Sequence, residues 1–254
     1  APDAEVEKFA QMLREAKRPV AVLGSTAMRI KNIDALRTFI EKHQIPFAST
    51  TMAKGLIDED HPLSIGCIER SMRKMQRAFI AETDLVIGLG YDVIETEYES
   101  WIGDVPLVHV DIEKADTDAS VNVAHQVVGD LDATLEKING MDSGPKEWPS
   151  GAALQHKDKF QKALRPASKN FTHYQVIDLV RSILPREGIL SFDVGAHTHQ
   201  IASQWTAHDP RTFLITNGWS SMGFGLPAGI AAKIARPDLP VVTILGDGCF
   251  SMTC

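Results

Sequence analysis

Short, continuous apolar runs alternate with amphipathic stretches along these 254 residues, and that alternation leaves few architectures open. Val6, Phe9, Ala10 and Leu13 recur at the i, i+3, i+4, i+7 spacing of a helix. Residues 19–24 (PVAVLG) then read as a short strand, Ile33, Leu36 and Ile40 as a helix face, and residues 45–50 (IPFAST) as a strand. A basic helical patch over 68–80 precedes strand-like runs at 84–90 (DLVIGLG), 106–112 (PLVHVDI) and 126–130, and residues 131–138 close the pattern as a helix. Strands that are apolar throughout are covered on both faces, as in a parallel sheet with crossover helices. Residues 139–170 break the rhythm with Gly, Pro, Ser and lysine-rich polar stretches, the composition of a linker with some local helix. The alternation then restarts: Thr172 and Gln175 form a capping-box pattern, residues 189–194 and 213–216 read as strands, and 223–235 as a helix rich in small residues.

The strand-like run 240–245 (PVVTIL) leads straight into Gly246-Asp247-Gly248, and the sequence given stops at Cys254. The helix that would cover that strand has barely begun there. The expected fold class is therefore α/β, with two doubly wound parallel-sheet domains, the second incomplete at its C-terminus. The expected units are 1–140, a linker 141–170, and 171–254.

Composition narrows the partners. With 44% hydrophobic and 23% charged residues the chain is of ordinary globular character. Lys+Arg 26 against Asp+Glu 33 gives a net charge of −7, so the basic footprint of a nucleic-acid binder is absent. No apolar run reaches the ~20 residues of a membrane span. The cysteines Cys67, Cys249 and Cys254 make no disulfide framework, and the first residues carry no basic or apolar leader, which points to a cytoplasmic protein.

Three segments concentrate chemistry at strand ends, where open parallel sheets bind ligands. In Gly246-Asp247-Gly248 the glycines let backbone N–H groups approach a phosphate, and Asp247 offers a hard oxygen suited to Mg²⁺. Taken alone, Asp-Gly is also a common turn dipeptide. Residues 217–229 (NGWSSMGFGLPAG) bring glycines, hydroxyls and Met222 to a strand–helix junction, a pattern that also serves plain helix-on-sheet packing. In 193–199 (DVGAHTH) the two histidines are two residues apart, a poor helical metal pair. One of them facing a phosphate is the better reading, and His199 reads equally well as a surface residue.

Together these segments resemble the thiamine-diphosphate enzyme family, most closely its acetolactate-synthase-like branch. The resemblance is carried by residues 193–205 (DVGAHTHQIASQW), 211–253 and 18–24 (RPVAVLG), and covers nearly the whole chain. It implies that 1–140 are a central domain and that residues from about 171 begin a diphosphate-binding domain. It implies Asp247 as the Mg²⁺ ligand and Gly195, His197, Ser221, Met222, Gly246, Gly248 and Cys249 as cofactor-binding, with Met222 beneath the bent cofactor. Ala196 stands where relatives often carry a polar side chain. The family's catalytic Glu belongs to a pyrimidine-binding domain that would precede Ala1, and its Asn pair beyond the GDG would follow Cys254. No catalytic residue is therefore assigned, and the chain alone is expected to be an inactive fragment.

The same resemblance implies decarboxylation of a 2-oxoacid such as pyruvate and ligation to an acceptor, in a homodimer or homotetramer using thiamine diphosphate and Mg²⁺. Residues 90–98, with Trp101, are similar to catabolic acetolactate synthases, which lack the flavin of the anabolic branch, so FAD is not expected. The competing readings are another family member, a 2-oxoacid decarboxylase or oxidase, and a non-catalytic Rossmann-like nucleotide-binding module.

Overall fold

The computed structural model describes residues 1–96 and 101–254. Helix α1 (Asp3–Glu15) buries the four apolar residues of its repeat. Strand β1 (Pro19–Leu23) follows, then α2 (Ile33–Lys42), whose N-cap Asn32 side chain accepts from the Ala35 N–H. The first unit continues through β2 (Phe47–Ser49), β3 (Ser64–Cys67), α3 (Arg73–Ile80), β4 (Leu85–Leu89), β5 (Leu107–Asp111), β6 (Val123–Val128) and α4 (Leu131–Asn139). Its six strands pair in parallel in the order β3-β2-β1-β4-β5-β6. Alternate residues of each strand serve opposite faces. Ala21, Leu23, Ile87, Leu89, Val108 and Val110 join one core with α1 and α2, while Val20, Val22, Val86 and Leu107 join the other with Phe79 and Ile80 of α3. The sheet is thus doubly wound, as the uninterrupted apolar runs require.

The expected helix over 68–80 is shorter than its composition suggests, and strand β3 was not anticipated. Met72 takes a left-handed conformation (φ 55°) that delays α3 to Arg73, and the four residues of β3 include a glycine, too short a run to announce a strand. Part of the stretch 90–98, similar in sequence to catabolic relatives, lies outside the described residues.

Residues 141–170 contain α5 (Ala152–Ala163), and they pack on the first sheet. The Trp148 ring stacks on Phe79 at 4.7 Å, and fully buried Phe160 covers Gly66 so closely that a Cβ there would meet its ring at 3.2 Å. The second unit comprises α6 (His173–Ile183), opened by the Thr172–Gln175 capping box, then β7 (Ile189–Phe192), α7 (Thr198–Gln204), β8 (Phe213–Leu214), α8 (Gly225–Ala235), β9 (Val241–Ile244) and α9 (Asp247–Thr253). Its parallel three-stranded sheet has the order β8-β7-β9. Central β7 is buried throughout, whereas β9 is half-buried along its length.

Polar contacts join the two units. Lys54 and Glu59 form a buried ion pair at 2.7 Å, and the Glu59 carboxylate also accepts from Ser49 Oγ and from the Ala207 N–H of the second unit, both at 2.8 Å. His199 on α7 pairs with Glu69 at 3.0 Å, so it is a bridging residue rather than a plain surface one. Among the described residues no helix is long and apolar enough to cross a membrane.

Candidate functional site

The C-terminal ends of β7 and β9 and the loop entering α8 meet at one edge of the second sheet. Asp193, the residue after β7, organises the junction. Its carboxylate is fully buried and accepts three backbone N–H groups: Val194 at 2.8 Å, Gly223 at 3.1 Å and Gly225 at 2.8 Å. Burial raises the pKa of such an acid, but the Gly225, Val194 and Gly223 donors outweigh it and hold Asp193 below the usual carboxylate range. The site loop is thereby tied to the end of a core strand. Gly223 has φ +88° and its absent Cβ would lie 2.9 Å from Thr253 Cγ2, so this position needs glycine on both counts.

On the other side of the junction, Cys249 in the first turn of α9 is buried and its thiol donates to the Val194 carbonyl at 3.2 Å. Asp247 and Gly248 sit at the start of α9 and are exposed. The Asp247 carboxylate takes only the Gly248 N–H, at 2.9 Å, among its described hydrogen bonds. Open space surrounds the Cα of Gly246, and a Cβ at Gly248 would meet the Met222 methyl at 3.6 Å. Met222 itself is 47% exposed, so it is not core filler, and Ser221 beside it is also exposed.

Gly195 and His197 lie in the turn between β7 and α7. Thr198 Oγ1 accepts the Gly195 N–H at 2.8 Å and donates to the Asp193 carbonyl at 2.9 Å, closing that turn. The His197 ring folds back over Gly195, where a Cβ would stand 2.9 Å from its Cε1. His197 Nε2 is buried and has no hydrogen-bond partner among the described residues. Burial holds this imidazole below its usual range, against the pull of Asp193. A buried nitrogen without a partner is costly, and a polar ligand at this position would relieve that cost.

Comparison with known proteins decides the family. Residues 6–138 match the family model for the thiamine pyrophosphate enzyme central domain, and residues 193–254 match that for the thiamine pyrophosphate enzyme C-terminal TPP binding domain. The chain belongs to the thiamine pyrophosphate enzyme family. It is 30% identical to the acetolactate synthase isozyme 1 large subunit of Escherichia coli over 98% of its own length and 45% of that protein's. It is 29% identical to a probable acetolactate synthase large subunit of Methanococcus aeolicus, and 27% identical to the acetolactate synthase large subunit of Lactococcus lactis. These alignments cover 98% and 100% of the chain and 45% of each relative. The chain thus spans about half the length of the relatives it matches.

The candidate cofactor- and metal-binding residues all lie in the matched C-terminal segment. The structure gathers Met222, Gly248 and Cys249 with Gly246 and Asp247 around one edge, and sets Gly195 and His197 on the adjoining turn. Sequence reasoning gave Asp193 no role. A carboxylate directly after an apolar strand, in a chain that also holds a Gly-x-Gly run with N–H groups to satisfy, was the available signal.

Proposed function

We propose that this chain forms the diphosphate- and Mg²⁺-binding part of an acetolactate-synthase-like enzyme that decarboxylates a 2-oxoacid, pyruvate in the simplest case, and ligates the product to an acceptor. The observation that carries the reading is the Asp193-centred junction, which holds three separately predicted segments at one strand-end edge. The donor set suits a diphosphate with Mg²⁺: an exposed hard carboxylate on Asp247, a buried imidazole nitrogen without a partner on His197, and open backbone at Gly246.

In this reading Asp247 holds the Mg²⁺, while Gly195, His197, Ser221, Gly246, Gly248 and the backbone of Cys249 receive the diphosphate. Met222 supports the cofactor from below. Bound thiamine diphosphate supplies the electron sink for decarboxylation. Asp193 keeps the loop carrying Met222 in register with α9, and the buried Cys249 thiol anchors that helix to the end of β7. Activity is a property of the whole protein, and no residue of this chain is assigned acid–base work. A 2-oxoacid decarboxylase or oxidase of the same family would use the same edge.

The same reading includes a homodimer or homotetramer. It is supported by Trp219, 98% exposed, three residues before half-exposed Met222 in the same loop. It also includes a cytoplasmic location, supported by three free cysteines. The test is a calorimetric titration of the full-length enzyme with thiamine diphosphate, with and without Mg²⁺. Asp247→Ala should lower the Mg²⁺-dependent affinity by at least ~10-fold with the melting temperature unchanged. Equal affinity in both proteins would overturn the assignment.

A further inference from the structure

The six-stranded sheet has the strand order of a dinucleotide-binding fold, with its switch point between β1 and β4. In such sheets a nucleotide diphosphate rests against the backbone N–H groups of the first strand–helix turn, outside the strand ends. Here that turn is Gly24-Ser25, and another group already occupies its donors. The Ser25 N–H donates to both oxygens of the Glu95 carboxylate at 2.9 Å, the Asp92 N–H donates to Oε1 at 3.0 Å, and Thr50 Oγ1 donates to Oε2 at 2.5 Å. Glu95 is 5% exposed. These four bonds, from the turns after β1, β2 and β4, are the pattern of donors that would grip a phosphate.

The turns themselves leave no gap. A Cβ at Gly24 would lie 2.3 Å from the Gly90 carbonyl oxygen and 2.8 Å from Glu95 Oε1, and one at Gly90 would lie 2.2 Å from the Ala27 nitrogen. The Thr26 N–H donates to the Gly90 carbonyl at 3.0 Å, so the β1 and β4 turns are in direct backbone contact. The recess that remains beside them, about 260 Å³, carries Asp92, Asp111, Glu113 and Asp116 against Arg29 and Lys114, a balance that repels a diphosphate.

We infer that Glu95 is an internal stand-in for a nucleotide phosphate, and that it closes the switch-point crevice of this domain to flavin and other dinucleotides and to nucleoside diphosphates. The inference concerns the central domain and does not rest on the proposed function. It gives the absence of FAD expected from sequence a physical cause in a named side chain.

The test is calorimetric titration of the protein with FAD, ADP and inorganic phosphate, beside Glu95→Ala and Glu95→Gln. The parent protein should show no uptake of ADP or FAD up to ~1 mM. Glu95→Ala frees the Ser25 and Asp92 donors around the space of one carboxylate and should bind inorganic phosphate at least ~10-fold more tightly than the parent, one decade in Kd, with ADP still excluded by the closed turns. Glu95→Gln keeps the crevice filled and should bind neither. Saturable uptake of FAD or ADP by the parent would overturn the inference, as would a folded Glu95→Ala protein with no gain. Amide exchange on the parent decides the matter independently of any variant's folding. Ser25 and Asp92 should be protected, and rapid exchange at both would show that Glu95 does not hold them.

Discussion

Replacing Asp193 separates a positioning role from ordinary core packing. In Asp193→Ala the Gly223 and Gly225 N–H groups, both on buried residues, lose their acceptors. An orphaned buried donor costs about 1–3 kcal/mol, so the two together should cost about 2–6 kcal/mol, at the lower end because removing a buried carboxylate also removes its desolvation penalty. Asp193→Asn keeps the shape and one acceptor oxygen but turns an amide N–H toward a backbone donor, and about half the loss is expected. Urea unfolding followed by tryptophan fluorescence measures the cost. Trp205, 1% exposed and in the second core, reports on that unit.

The pH dependence carries a sign. Asp193 is held below the usual carboxylate range in the fold, so its contribution is present above the free value of about 3.9 and is lost as pH falls through the lowered one. The difference between parent and Asp193→Ala should therefore be full at pH 7 and shrink in strong acid. The readout specific to positioning is local: exchange of the Gly223 and Gly225 amides should accelerate in Asp193→Ala more than that of the β7 amides, with partial rescue in Asp193→Asn. Unfolding free energies within ~0.5 kcal/mol of the parent, or unchanged exchange at the two glycines, would refute the argument.

The first sheet was legible because its strands carry their burial on both faces. Val20 and Val22 face one core and Ala21 and Leu23 the other, so β1 is apolar at every position, and its shortness and the closing Gly24 mark it as a strand covered on both faces. Strand β3 was not legible: four residues with a glycine give no period to read. Helix α5 was legible only as some local helix within a linker, for a different reason. Its buried residues are few, Ala153 and Phe160, and a helix that covers a sheet with so few apolar contacts looks like a polar linker. At the candidate site, family resemblance and strand-end position named Asp247, Gly248 and Met222, which the structure leaves exposed. Neither singled out Asp193 or Glu95, whose roles depend on which backbone N–H groups the fold brings to them from residues 30 and 70 positions away. The groups that hold a loop in place are written in tertiary contacts, which no local pattern reports.

Lys54→Met should destabilise the fold by about 3–5 kcal/mol, because it strands the Glu59 carboxylate in the interior between the two units. A double variant that also replaces Glu59 with Gln, which removes the charge but keeps an acceptor for Ser49 or the Ala207 N–H, should recover part of the loss, and additive effects in urea titrations would count against the pair. The whole protein should sediment as a homodimer or larger, and a monomer active at the dilution used would count against that reading. Acid should destabilise the fold well above the carboxylate range. Burial, with Lys42 and Lys146 adding to it at His43 and Lys159 at His156, lowers both histidines to about 4. Below the free imidazole value of about 6.5, the unfolded chain binds protons that the fold refuses. Stability should therefore be full above pH 6.5 and fall as pH drops toward 4, by up to ~1.4 kcal/mol per pH unit for each histidine. Glu95 and Asp111, raised from their ordinary values by burial, act in the opposite sense. The double variant His43→Gln with His156→Gln should flatten the fall between pH 6.5 and 5, since Gln can keep the Ser143 and Gln76 hydrogen bonds without titrating. Equal pH slopes in parent and variant would show that neither ring is kept neutral by the fold.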